Sequence, residues 1–482
     1  MKLKGSNIKS TGFFGLIIAQ FLGAFNDNAF KLVVSLYIMG IGTGMKSDTK
    51  LVSIAAAFFI VPFIIFSTYA GWLSDKFSKK LVIVKTKNYE VIVMTLGLLA
   101  FLSGNIVLIF SVLFLMGAQS AFFSPAKYAI LPEIVRDEEL SRANGILQMF
   151  TFLAIILGTA AGDSIFQSFK PGIHKGTIVF IAVAVIGAIA SRFVQNVKPA
   201  NQTKRLEMNP LSSALFTLRH LRKDKPLLVT ILAVSFFWFI GALFQMNILV
   251  YWDSMVQHNQ APISIPLALI ALGIAFGSFT AGRLSDGKIE FGLVPFGCLG
   301  MALFSYALAS SYHSINLTLF YLFMLGISAG LYIVPLTAYV QQHSDASKKG
   351  ENIAFNNLIS FTAILFASLY LYVISNVFDV DPAGVFLTMS AAVIVVSLAI
   401  IKTIPTTFVR AFLWMFVRLR RKIYVTGRIN IPKNSAALIV SNSTSLYDAL
   451  YIAFSQQRPV KLVVPFNTYN NSRLKWLFKL LG

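Results

Sequence analysis

Gly71-Trp72-Leu73-Ser74-Asp75-Lys76-Phe77-Ser78-Lys79-Lys80 closes a long apolar run, and Gly282-Arg283-Leu284-Ser285-Asp286 repeats its first half 211 residues later. Four further echoes accompany it. Pro125 returns as Pro335, Gly117 as Gly326, and Gly23-Ala24 as Gly241-Ala242. Ala143-Asn144 returns as Phe355-Asn356, with Ala354 one step earlier. One such match is cheap, but five at offsets of 209 to 218 predict two homologous halves.

Composition names the solvent. The 482-residue chain is 56% hydrophobic and 12% charged, against roughly 25% charged for a soluble domain. Soluble cores stop growing near ~250–300 residues, so lipid must cover this surface. The net charge of +22 does not point to nucleic acid, because the basic residues sit in short segments between apolar runs. The single cysteine, Cys298, excludes a disulfide framework and a thiol metal site. No cofactor is expected. Lys2, Lys4 and Lys9 precede an apolar run without a small-residue cleavage box, which reads as a retained first helix.

A spanning helix needs ~20 apolar residues. Candidate spans are 12–39, 51–72, 88–104, 106–124, 142–166, 177–196, 227–251, 262–282, 291–310, 314–334, 352–377 and 383–403. The boundary between the third and fourth lies near Gly104-Asn105. Lysine and arginine crowd the segments around 76–87, 136–142, 198–225, 283–288, 348–349 and 402–422. The alternate loops hold Lys46, Lys50, Lys170 and Lys175 and little else. That asymmetry predicts both termini in the cytoplasm and an even helix count. The expected fold class is all-α membrane: twelve transmembrane helices in two six-helix halves, 1–197 and 227–404, joined by a cytoplasmic linker, 198–226. Within the linker, Leu211–Leu221 reads as an amphipathic surface helix.

Three polar constellations stand out. Gly71 permits close helix approach, and Asp75 can meet a neighbouring helix N-terminus. Gly71, Asp75, Lys79 and Lys80, with Gly282 and Asp286 of the second copy, therefore read as a conformational latch. This stretch resembles the signature loop of the major facilitator superfamily. The second constellation is Gln20-Phe-Leu-Gly23-Ala-Phe-Asn26-Asp27-Asn28-Ala-Phe-Lys31. A carboxylate at mid-span costs at least ~2.5 kcal/mol. Asp27 either pairs with Lys31 one turn on, or faces a central cavity with Asn26 and Asn28 and meets a polar or cationic substrate group. Its repeat partner is Gln245, near Asn247. The third is Ser124-Pro125-Ala-Lys127-Tyr128-Ala-Ile-Leu131-Pro132-Glu133. Pro125 is expected to break the helix and Pro132 to end it. Lys127 either snorkels to the interface or serves as a cavity cation for phosphate. Glu133 is expected to pair with Arg142.

The strings FLGAFNDNAFK and SPAKYAILPE, together with Ala143-Asn144-Gly145, resemble the bacterial lysophospholipid transporter family of that superfamily. The resemblance covers residues 12 to about 400. It implies flipping of lysophospholipid from the outer to the inner leaflet of the inner membrane, for reacylation by an acyltransferase. It places Asp27 and Lys127 in the polar substrate site. Gln245 stands where that family has an arginine. A Phe-rich, Gly-rich path between the halves would take the acyl chain.

Beyond the twelfth span the texture changes. Residues 405–423 read as a basic amphipathic segment on the inner leaflet. Residues 424–482 read as strand and turn, a partial α/β segment. They resemble the start of the glycerol-phosphate acyltransferase family, whose first motif is N-H-x-x-x-x-D. Asn442 and Asp448 match it, but Ser443 replaces the histidine base. The later motifs do not precede Gly482, so an incomplete, inactive domain is expected rather than a bifunctional transporter–acyltransferase. A facilitator exporter of amphipathic drugs or another solute is the competing transport reading, because fold does not settle substrate. In a Cys298→Ser background, cysteines placed at Arg136 and Lys348 should label only from the cytoplasm, and one at Lys170 only from outside. Labelling of all three from one side would refute the predicted orientation.

Overall fold

In the computed structural model, residues 8–403 are described apart from 42–44, 171, 205–208, 257–263, 286–288 and 312–313. Beyond 403 only 437–440, 442, 451 and 463 are described. Asp286, Ser443, Asp448 and the amphipathic segment 405–423 lie outside the described residues, and Asn442 is exposed coil.

Thirteen α-helices are described: α1 (Thr11–Ile41), α2 (Met45–Lys76), α3 (Lys79–Ser103), α4 (Ile106–Ile134), α5 (Leu140–Phe169), α6 (Ile173–Arg192), α7 (Pro210–Leu221), α8 (Lys225–Val256), α9 (Ser264–Leu284), α10 (Leu293–Ser310), α11 (Ile315–His343), α12 (Lys349–Asn376) and α13 (Pro382–Thr403). No strand occurs among the described residues. Ten of the helices are long and apolar enough to cross a membrane. The other long ones, α1 and α3, carry the polar strings around Asp27 and around Lys87 and Glu90. Outward faces are apolar: Leu99 and Leu102 on α3, Ile186 and Ile189 on α6, and Val395 and Leu398 on α13 are exposed. Lipid accommodates such a surface and water does not.

Two expectations need correction. Lys87 is not a loop charge, because α3 begins at Lys79 and buries it. Pro125 and Pro132 neither break nor end α4, which continues to Ile134. Proline fixes φ near the helical value, and stopping a helix inside apolar surroundings would strand more backbone groups than one missing bond does. The boundary between α3 and α4 falls at Gly104, in left-handed conformation (φ 64°), and at Asn105, whose side chain caps Val107 N.

The two halves pack alike. Gly117 lets α4 press on Phe59 O of α2, and Gly326 lets α11 press on Ile270 O of α9. Gly71 of α2 meets Gly350, Glu351 and Ala354 of α12, while Gly282 of α9 meets Ser141 and Arg142 of α5. Each half thus seats a glycine of its second span against the fifth span of the other. Close helix contact in apolar surroundings depends on such small residues. Replacing Gly326 by leucine should lower apparent stability by about 1–3 kcal/mol. Gly241→Ala, whose added methyl meets nothing within 4 Å, should leave it within about 0.5 kcal/mol. Thermal unfolding in detergent checks both.

Candidate functional site

The polar centre forms where α1 meets α2 and α4. Asp27 is half-buried, and its Oδ2 accepts from Ser120 Oγ of α4 at 2.7 Å. Lys31 does not pair with it; the ammonium instead stands 4.5 Å from the Phe59 ring centroid on α2. Lys127 does not snorkel. It is 6% exposed, with Nζ 4.3 Å from the Tyr128 ring and 5.7 Å from the Phe123 ring. Neither Lys31 nor Lys127 has a carboxylate within ion-pair distance among the described residues. An ammonium faced only by aromatic rings keeps donors for an anionic guest.

The neighbouring amides diverge. Asn28 donates to Ala24 O at 2.7 Å on its own helix. Asn26, expected beside Asp27, turns away into the half and donates to Phe180 O at 3.0 Å and Glu90 Oε1 at 3.3 Å. One residue's step rotates a helical side chain by about 100°, so adjacent positions cannot all face one space. Across the halves, Gln245 is exposed and Gly241, one turn before it, has open space on its Cβ side. Asn247 is buried and donates to Pro382 O. No group of His, Cys, Asp and Glu among the described residues is arranged to hold a metal.

The seam is clasped at the end that carries the linker. Asp75 is fully buried, and Oδ1 accepts from Gly350 N at 2.7 Å while Oδ2 accepts from Glu351 N at 3.1 Å. Both amides open α12, where the exposed N–H groups and the helix dipole favour an anion. The cation is supplied by the linker: Lys204 Nζ lies 2.8 Å from Asp75 Oδ2 and 2.6 Å from Glu351 Oε2. Thr217 of α7 donates to Glu351 Oε1 at 2.5 Å. The motif's own lysines do not cross the seam. Lys79 pairs with Glu133 at 2.7 Å, in place of the expected Arg142, and Lys80 forms no ion pair among the described residues. The start of α3 adjoins the end of α4, so Lys79 reaches Glu133 first. Asn144 and Gln341 exchange both amide bonds at 2.8 Å across the seam, and Asn357 donates to Ser124 at 3.0 Å.

Sequence reasoning missed Lys204, Gly350, Glu351, Ser120, Gln119 and Glu90. Only Glu90, an acid inside an apolar run, carried a readable signal. Burial opposes the Lys204 charge, but Asp75 and Glu351 outweigh it, so its proton affinity rises above the ordinary 10.5. A raised lysine stabilises fully below its ordinary value and loses that contribution as pH climbs through the higher folded one. The clasp should therefore hold throughout neutral and mildly alkaline pH. Lys204→Ala should speed alkylation of a cysteine at Ala338, which is buried at the seam, by roughly tenfold, the worth of one charge-assisted bond. An unchanged rate would remove Lys204 from the clasp.

Residues 16–368 match the Major Facilitator Superfamily. The lysophospholipid transporter LplT of Yersinia enterocolitica is 28% identical over 365 residues, 74% of this chain and 85% of that protein. LplT of Yersinia pestis is 28% identical over 360 residues, 73% and 84% respectively. Among solved structures, FucP in the outward conformation superposes with a TM-score of 0.63 at 13% identity, covering 80% of this chain and 97% of that one. A bacterial homologue of ferroportin in the outward-facing state gives 0.62 at 15%, covering 81% and 98%. The helices, their repeated glycine contacts and the clasp across the seam thus have one common source: this chain is a member of the Major Facilitator Superfamily.

Proposed function

We propose that this protein carries lysophospholipids from the outer to the inner leaflet of the bacterial inner membrane. The observation that carries the reading is Lys127, a buried ammonium cupped by Tyr128 and Phe123 without a carboxylate partner, on the helix that also sends Ser120 to Asp27. Lys127 takes the phosphate of the headgroup and Asp27 its ammonium, where one is present. The acyl chain follows the Phe-rich face of α8. The similarity to the LplT proteins of Yersinia supports this substrate class. The clasp then marks the cytoplasmic end, and both termini are cytoplasmic. In this reading α1 and α3 join the ten apolar helices as spans, for twelve, and α7 lies on the inner surface. A separate acyltransferase consumes the product, since Ser443 offers no base for acyl transfer.

Uptake of labelled lysophosphatidylethanolamine into proteoliposomes tests the proposal. Lys127→Ala and Asp27→Ala should each reduce it by about tenfold or more. Uptake should persist when the proton gradient is collapsed, unlike that of a proton-coupled drug exporter. Full activity in both variants would refute the site.

A further inference from the structure

A buried ion pair lies behind this site, and the transport reading above makes no use of it. Lys87 and Glu90, one turn apart on α3, are 2.5 Å apart and almost wholly buried. Gly23 of α1 leaves the space that the ammonium fills, and a methyl there would collide with Nζ. Glu90 also accepts from Asn26 Nδ2 and Gln119 Nε2, each at 3.3 Å. The Gln119 amide cannot turn over without loss, because Nε2 also faces Thr86 O at 3.3 Å. Its Oε1 therefore faces Ser120 Oγ at 3.1 Å, and Ser120 holds Asp27 at 2.7 Å. On the other side, Phe123 stands between two ammonium groups, 5.1 Å from Lys87 and 5.7 Å from Lys127. The pair thus abuts both charged ends of the site without entering it. Asp27 feels the charges of Glu90, Lys31 and Lys87, and Lys127 feels those of Lys87 and Asp27.

Apolar side chains of similar size would fill this space at lower cost than a desolvated ion pair, and intramembrane charges are a functional signal by default. We propose that Glu90 is a positioning residue that sets headgroup specificity, an inference that rests on the lysophospholipid reading. Glu90 neutralises Lys87 and, through Gln119 and Ser120, orients Asp27. Asp27 is thereby left as the carboxylate for an ammonium-bearing headgroup. Without the Glu90 charge, Lys87 stands beside Asp27 unbalanced, and the site gains one positive unit. Ethanolamine-type headgroups are then repelled, while glycerol-type headgroups, which carry phosphate alone, are not.

The test compares concentration-dependent uptake of lysophosphatidylethanolamine and lysophosphatidylglycerol into proteoliposomes holding the full chain. Glu90→Gln should raise KM for the ethanolamine lipid about fivefold more than for the glycerol lipid, a difference of ~1 kcal/mol. The double variant Lys87→Met/Glu90→Gln should restore the ratio to within about twofold of wild type, because it removes the unbalanced charge. Should Glu90→Gln fail to fold, Gln119→Leu adds no charge, severs the link to Ser120, and should raise KM for the ethanolamine lipid alone. Equal losses for both lipids, or a double variant no better than the single, would overturn the inference. Uptake of neither lipid by the wild type would overturn the transport reading and this inference with it. Wild-type uptake with an unchanged ratio in every variant overturns this inference alone.

Discussion

Asp75 is a carboxylate without access to water, so its donors must come from protein. They come from elsewhere than its own half: two amides at the start of α12 and an ammonium from the linker. Breaking a buried pair by removing one partner leaves an uncompensated charge and costs several kcal/mol. The seam at that end therefore stays shut until all these bonds exchange together. Gly350 is obliged to be glycine there, since a methyl would meet both Asp75 Oδ1 and Gly71 O. The reciprocal Asn144–Gln341 pair shuts the same end on the opposite flank. With the contacts drawn to one end, the faces of α1 and α8 that carry Asp27 and Gln245 keep exposure at the centre.

The two halves share a backbone plan and divide the chemistry. Equivalent glycines make equivalent contacts, yet Gly23 makes room for Lys87 while Gly241 faces open space. The first half gathers the central charges: Asp27, Lys31, Lys87, Glu90 and Lys127. The second half answers with aromatic packing on α8, where Phe236 lies against Phe239, Phe237 against Trp238 and Phe244 against Phe386. A one-chain lipid has the same division, a charged head and an apolar tail. A repeat that has lost its symmetry in charge while keeping it in shape suits such a substrate.

The fold was legible because hydropathy and the glycine repeat are local signals. Gly71 and Gly282 could be matched by inspection, and Gly104-Asn105 reads as a helix boundary from its two residue types. The electrostatic partners were not legible, because they are set by which helices meet. Lys204 looked like one linker cation among many, and only folding brings it between Asp75 and Glu351. Lys79 was read with the latch because it is near Asp75 in sequence, whereas α4 presents Glu133 to it first. Lys87 was read as a loop charge because a lysine usually ends a span; its counter-ion Glu90 lies one turn on, inside the helix. Asn26 was grouped with Asp27 by adjacency, although neighbouring helical positions point about 100° apart.

The account stands or falls on a headgroup meeting the Asp27–Lys127 centre. A lysophospholipid with a photoreactive group on its headgroup, irradiated in proteoliposomes and mapped by mass spectrometry, asks this directly. Adducts on the segments around Asp27–Lys31 and Ser120–Lys127, lost on addition of excess unlabelled lysophospholipid, are the predicted result. Adducts confined to the outward faces, such as Leu102, Ile186 and Leu398, and indifferent to competitor, would contradict it.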